Sequence, residues 1–221
     1  MSLVLHKCLG IYVISLAYDS ELIYNPIMSQ ILLDAKQILL INDVKPLFCP
    51  ISFQIMSGSR YQLVGINGIG KSSLLNALHS SIIDEGEIIY HVPKNDIGYL
   101  PHKMKVYEQL TLSEQLNLFS SLSETPLYCS KISSLLIPRH LMNKKLSQMS
   151  QGERQRACLL LLLCFPLKLV LLDEPSSHQD IHYKKQIEKV LGVLLDNGVS
   201  ILETSHQPSL KKVIQLEPYD V

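Results

Sequence analysis

Apolar positions along the chain follow two rhythms. Short, mainly apolar runs recur at residues 61–64, 88–90, 97–100, 169–172, 199–203 and 213–216, and such runs between turn residues are the pattern of strands buried in a parallel sheet. Between them lie stretches with helical spacing at 71–80 and 181–196, the second followed by Asn197-Gly198. That pair is a stop signal, because glycine takes the left-handed conformation that ends a helix without a steric penalty. Residues 111–156 read as mostly helical, and Thr111 with Glu114 matches the capping-box pattern that opens a helix. Residues 157–172 are strongly apolar but carry Pro166 and Lys168, so they read as the end of a buried helix, a turn and a buried strand. The alternation predicts an α/β fold with a mostly parallel sheet core and a helical subdomain inserted at about residues 110–156.

The first 28 residues stand outside this alternation. Their apolar stretch, 8–17, is only about ten residues long where a membrane span needs about 20, and no small-residue cleavage site of the kind a signal peptide needs follows it. We read residues 1–28 as an extension, disordered or translated from an early start codon with Met28 as the working start. Residues 29–221 form a single domain on this reading.

Composition narrows the functional classes. The 221 residues hold 20 Lys plus Arg and 20 Asp plus Glu, a formal net charge of zero, which leaves no general basic footprint for nucleic acid. Five cysteines without a Cys-x-x-Cys pair fit reduced thiols and argue against a structural metal. With no Trp and four Phe, the core must be built from Leu, Ile and Val.

Three segments carry chemistry. Gly65, Ile66, Asn67, Gly68, Ile69, Gly70, Lys71 and Ser72 fit G-x-x-x-x-G-K-[ST] between a predicted strand and a predicted helix. Backbone N–H groups of such a loop cradle phosphate oxygens, Lys71 adds a positive charge for the β- and γ-phosphates, and the Ser72 hydroxyl is placed for Mg²⁺. Ser73 lies at the helix N-terminus, where the dipole favours an anion. The second segment is the apolar run 169–172 followed by Asp173 and Glu174. It delivers two carboxylates to the end of a buried strand, Asp173 for Mg²⁺ and Glu174 to polarise an attacking water. Together they describe a P-loop NTPase. The third, Met149-Ser150-Gln151-Gly152-Glu153-Arg154-Gln155-Arg156, has Ser150 and Glu153 in a second capping box, which starts a helix at Ser150. Gly152 permits close approach to this further N-terminal anion site.

That third segment resembles the Leu-Ser-Gly-Gly-Gln-x-Gln-Arg signature of ABC ATPases. The resemblance implies that Ser150, Gln151, Gly152 and Glu153 face the ATP held by a second subunit, in a head-to-tail dimer that sandwiches two nucleotides. Ser177 and Asp180 match the outer positions of the family's D-loop, while His178 and Gln179 depart from its middle. His206 matches the switch histidine at the γ-phosphate, so Lys71, Glu174 and His206 become the candidate catalytic groups. His102 stands where the family has a Gln that contacts the Mg²⁺ shell and senses the transporter. The aromatic residue that the family stacks on adenine is missing around residues 42–45, and Phe48 and Tyr61 are differently placed.

Residues 33–36, 46–48, 51–53 and Gly58, the His102 substitution and Thr204-Ser205-His206-Gln207-Pro208 are similar to the ATP-binding proteins of bacterial cytochrome c maturation, the haem exporters. That branch implies ATP and Mg²⁺ as cofactors, a homodimer or other ABC ATPase dimer, and membrane subunits as partners. It also implies a peripheral position on the cytoplasmic face of the inner membrane and release of haem-loaded chaperone as the output. The alternatives are the ATPase subunit of another small ABC transporter, a soluble non-transport ABC ATPase, or a nucleotide-binding scaffold without turnover.

Overall fold

The computed structural model describes residues 30–122, 127–176, 180–205 and 210–219, with only the backbone for 3–8, 11–16 and 127–131. At the start, β1 (Leu3–Cys8) and β2 (Ile11–Leu16) pair as an antiparallel hairpin. Next come β3 (Ile31–Leu39), the two-residue strands β4 (Ile41–Asn42) and β5 (Lys45–Pro46), β6 (Ile51–Met56) and β7 (Arg60–Val64). Helix α1 (Lys71–Ser80), β8 (Glu85–Tyr90) and β9 (Ile97–Leu100) follow, then α2 (Leu112–Ser121), α3 (Leu127–Leu136) and α4 (Gln151–Leu162). The chain ends with β10 (Leu169–Leu172), α5 (Ile181–Asp196), β11 (Ser200–Thr204) and β12 (Val213–Gln215).

The central sheet is entirely parallel, in the order β12-β7-β11-β10-β9. Strand β10, between β11 and β9, has all four residues buried, and they alternate between two cores. Leu169 and Leu171 pack with Leu74, Leu75 and Leu78 of α1 and with Leu33 and Ile55 of an outer sheet. Val170 and Leu172 pack on the other side with Leu159 to Leu163, Ile187, Val190 and Leu191. A strand covered on both faces loses the polar alternation of a half-exposed one, which is why Leu-Val-Leu-Leu reads as an unbroken apolar run.

Helices α1 and α5 and strands β9 and β10 have the expected bounds, and the capping boxes at Thr111 and Ser150 are both closed by reciprocal bonds. The run at 88–90, expected in the parallel sheet, is a strand but belongs to an antiparallel one. A second sheet, β6-β3-β8, is antiparallel and covers α1 from outside. Strand β3 hides from periodicity because its register shifts around Gln37, which adopts φ 50°, so buried and exposed positions stop alternating halfway along it.

An ion network ties β7, β11 and α5 together. Arg60 donates from Nε to Glu203 Oε1 at 2.9 Å, and its terminal nitrogens reach Glu188 at 2.6 and 2.8 Å. Burial raises the Glu203 carboxyl, with Arg60 opposing the shift, while the bond from Arg60 holds Glu188 below the usual carboxylate range. Removing Arg60 leaves Glu203 as an uncompensated buried charge. Arg60→Met should therefore lose about 3 kcal/mol in urea unfolding at neutral pH. Arg60→Met/Glu203→Gln should recover part of it. The single variant's deficit should shrink as pH falls, because a carboxyl with a raised folded pKa takes up a proton in the folded state first and so favours that state at lower pH.

Candidate nucleotide site

Strand β7 leaves the sheet into the phosphate loop, and the loop is shaped by two glycines with left-handed backbone. Gly68 has φ 81° and Gly70 has φ 110°, and a Cβ on Gly70 would meet Leu47 at 3.1 Å and Phe48 at 3.3 Å. Ile69 is buried and anchors the loop in the core, while Asn67, Gly68, Ser72 and Ser73 are exposed. Gly70 caps α1 without a side-chain hydrogen bond, so the first-turn N–H groups have no side-chain partner from the cap and face outward for an anion. Lys71 is buried, and its Nζ donates to the carbonyls of Gly65 at 2.8 Å and Ile66 at 3.1 Å. The ammonium is thus held inside the loop that would receive a phosphate.

The two carboxylates arrive beside it. Asp173 follows β10, is buried, and accepts from Thr204 Oγ1 at 2.9 Å. Its charge, after burial, helps push the Tyr99 hydroxyl up to about 12. Glu174 lines an open pocket of about 420 Å³ together with Asn67, Gly68, Gly70, Lys71, Ser72 and Ser73. Its backbone is left-handed, φ 50°, a conformation that costs a residue with a side chain roughly 1–3 kcal/mol and persists only where the surroundings impose it. The imposing contacts are visible: Glu174 N–H donates to Thr204 Oγ1 at 2.8 Å, and Gln155 Nε2 donates to the Glu174 carbonyl at 2.8 Å.

Ser150 caps α4. Its Oγ accepts from Glu153 N–H at 3.3 Å, and in return Ser150 N–H donates to Glu153 Oε2 at 2.8 Å. Lys144 lies 2.9 Å from the Glu153 carboxylate and is the main reason that its pKa is lowered. The Ser150 hydroxyl accepts one bond in the box, which leaves its proton to donate outward. Gln151 is exposed and Gly152 half-buried at this end of the helix.

His102 is not among the residues that line the pocket around Lys71. It borders a separate groove of about 530 Å³ with Lys103, Met104, Met149, Arg154 and Cys158. Burial pushes the Cys158 thiol up to about 11, so it remains a thiol rather than a reactive thiolate. Asp180 acts as the N-cap of α5, accepting from Tyr183 N–H at 3.0 Å. Ser177 and His206 lie outside the described residues. Beside the phosphate loop a further pocket is lined by Leu40, Ile41, Leu47 and Ile82. These aliphatic side chains stand there without an aromatic ring, and Phe48 is fully buried. Thr204 and Gln155 stand within the motif segments, but periodicity and spacing assign them no contact. Only the meeting of β11, β10 and α4 does.

Comparison with known proteins agrees with this geometry. A family model described as ABC transporter matches residues 48–177. The chain is 30% identical over 171 residues to ABC transporter G family member 20 of Dictyostelium discoideum, covering 71% of this chain and 23% of that protein. It thus spans about a quarter of that relative's length. It is 28% identical over 204 residues to the cytochrome c biogenesis ATP-binding export protein CcmA of Vibrio vulnificus strain YJ016, covering 82% of this chain and 98% of that one. A solved putative ABC transporter ATP-binding protein from Pyrococcus furiosus superposes with a TM-score of 0.71 at 26% identity, over 83% of this chain and 96% of that one. A phosphate loop, a capped signature-like helix and a strand carrying two carboxylates, in that order and within this fold, place the chain in the ABC transporter ATPase family.

Proposed function

We propose that the chain binds MgATP at the phosphate loop and hydrolyses it in a head-to-tail dimer, driving membrane subunits of the haem-exporter, cytochrome c maturation type. The observation that carries the ATPase reading is that Glu174 lines one pocket with Lys71, Ser72 and Ser73. In this reading Lys71 exchanges its contacts with the Gly65 and Ile66 carbonyls for phosphate oxygens as ATP enters. The α1 N–H groups then complete the cradle. Glu174, on its constrained backbone, orients the attacking water and accepts its proton.

Ser72 and Asp173 offer the hard oxygen donors that Mg²⁺ takes, and Asp173 Oδ1 is already turned to Thr204, which leaves Oδ2 toward a cation. Bound there, Mg²⁺ supplies charge neutralisation for the β- and γ-phosphates. His206 would contact the γ-phosphate, and Ser177 and Asp180 would lie at the dimer seam. Ser150, with Gln151, Gly152 and Glu153, would bind the partner's nucleotide, the Glu153 charge being offset by Lys144. The groove at His102, Met104 and Arg154 would seat the membrane subunits. Among the described residues no helix is long and apolar enough to cross a membrane, which is compatible with a peripheral position on such subunits.

The haem assignment rests on the match to CcmA across nearly that protein's whole length and on the sequence features around His102 and residues 204–208. Another small ABC transporter would use the same nucleotide site.

Glu174→Gln should bind MgATP while its kcat falls by about 10²–10⁴-fold, because an amide accepts no proton from water. Phosphate release in single-turnover assays measures this, and near-normal release would overturn the role of Glu174. Ser150→Arg should bind ATP as a monomer with unchanged affinity yet fail to dimerise in the Glu174→Gln background, as read by light scattering. Normal dimerisation would remove the trans role of α4. In cells, Lys71→Ala should leave the membrane complex assembled while haem-stained cytochrome c falls and haem-loaded chaperone accumulates. Normal cytochrome c beside a different transport defect would discard the haem assignment and keep the ATPase.

A further inference from the structure

Asp173 and Glu174 are gripped by two side chains from two other elements. Thr204, the last residue of β11, uses one hydroxyl for two bonds: its proton goes to Asp173 Oδ1 at 2.9 Å, and a lone pair accepts Glu174 N–H at 2.8 Å. A hydroxyl has one donor and two acceptor sites, so Ser could repeat both bonds and Val neither. Thr204 is 4% exposed, so water cannot readily replace it. From the other side Gln155, one turn into α4, donates to the Glu174 carbonyl at 2.8 Å. The two bonds thus clamp the peptide groups on either side of a residue held at φ 50°. Without them that backbone would relax toward negative φ and swing the carboxylate away from the phosphate loop.

We propose that Thr204 and Gln155 are positioning residues of the hydrolytic site. Thr204 sets the Asp173 carboxylate and the Glu174 backbone together, and Gln155 ties Glu174 to the helix that begins at Ser150. The inference rests on the ATPase reading. It adds that α4 bears on its own subunit's Glu174 as well as on a partner's nucleotide. A movement of α4 as Ser150 engages the partner's ATP would be transmitted by a single hydrogen bond to the residue that orients water in the other site. Hydrolysis would thus be sensitive to closure of the dimer even before any contact across the seam reaches Glu174.

The test uses the full chain with Thr204→Val, Thr204→Ser and Gln155→Glu, the last nearly isosteric but unable to donate. Three quantities are read: the thermal midpoint, the affinity for a fluorescent ATP analogue in EDTA and in Mg²⁺, and kcat and KM for ATP. Thr204→Val should bind nucleotide in EDTA like the wild type and lose the extra affinity that Mg²⁺ confers. Its kcat should fall by about 100-fold, the scale of an ångström-level misplacement, with KM changed far less. Thr204→Ser should stay close to wild type in both. Gln155→Glu should lower kcat by about 10-fold with the Mg²⁺ response intact, since it touches Glu174 and not Asp173.

A purely packing role for Thr204 would shift the thermal midpoint but leave the Mg²⁺ response and kcat in place, and that result overturns the proposal. Thr204→Ser as impaired as Thr204→Val also overturns it, because the methyl and not the hydroxyl would then matter. If Thr204→Val does not fold, Gln155→Glu carries the test, and an unchanged kcat there overturns the proposal. A wild-type chain that binds but does not hydrolyse ATP removes the ATPase reading and this inference together. Wild-type hydrolysis with unaffected variants removes this inference alone.

Discussion

Strand β10 is covered on both faces, by α1 and the outer sheet on one side and by α4 and α5 on the other. Polar side chains cannot be accommodated along its length, because a buried charge without partners is far costlier than the apolar contacts it would displace. The first positions at which carboxylates are tolerated are therefore those where the strand leaves the sheet, and Asp173 and Glu174 occupy them. Parallel neighbours run the same way, so the ends of β7, β10 and β11 gather at one edge. The phosphate loop, both carboxylates and Thr204 are brought to that edge by sheet topology before any ligand contributes.

Two helix N-termini solve the same electrostatic problem in opposite ways. Helix α4 closes its own end, since the Ser150–Glu153 box satisfies orphan donors within the chain. Helix α1 starts at Gly70 without a side-chain cap, and leaves its donors to an external anion. An uncapped end is a standing cost unless something negative arrives, and the buried Lys71 adds a charge that phosphate would also neutralise. Self-sufficiency of one terminus and incompleteness of the other are consistent with their proposed tasks: α1 would hold its own nucleotide, whereas α4 would present a preformed surface to another.

The helical subdomain is joined to the core by more than packing. Arg154 pairs with Glu108, Arg156 lies over the Tyr183 ring at 3.6 Å and donates to the Leu136 carbonyl at 3.1 Å, and Gln155 reaches Glu174. Three successive residues of α4 thus contact four different parts of the molecule. Such a helix cannot shift without changing several polar contacts at once, and this makes it a suitable carrier of a discrete, two-position signal rather than of a graded one.

The chain's own order of residues determined the buried strand runs of the core, α1 and α5 to the residue, both capping boxes and the phosphate loop, because each is marked by neighbours within a few positions. Turn glycines, S/T-x-x-E spacing and unbroken apolar runs are local signals with local causes. Of the β6-β3-β8 sheet only the run at 88–90 was legible as a strand, since the bulge at Gln37 breaks the alternation that would have announced β3. Nor was the ion network of Arg60, Glu188 and Glu203, whose members are far apart in sequence and acquire their partners only when β7, β11 and α5 meet. The same holds at the site itself. Asp173 and Glu174 could be read as carboxylates at a strand end, but the left-handed backbone of Glu174 and its grip by Thr204 and Gln155 follow from three elements closing on one point. Hydrogen bonds between residues 19 to 31 positions apart leave no periodicity in the sequence, so only the tertiary structure decided them.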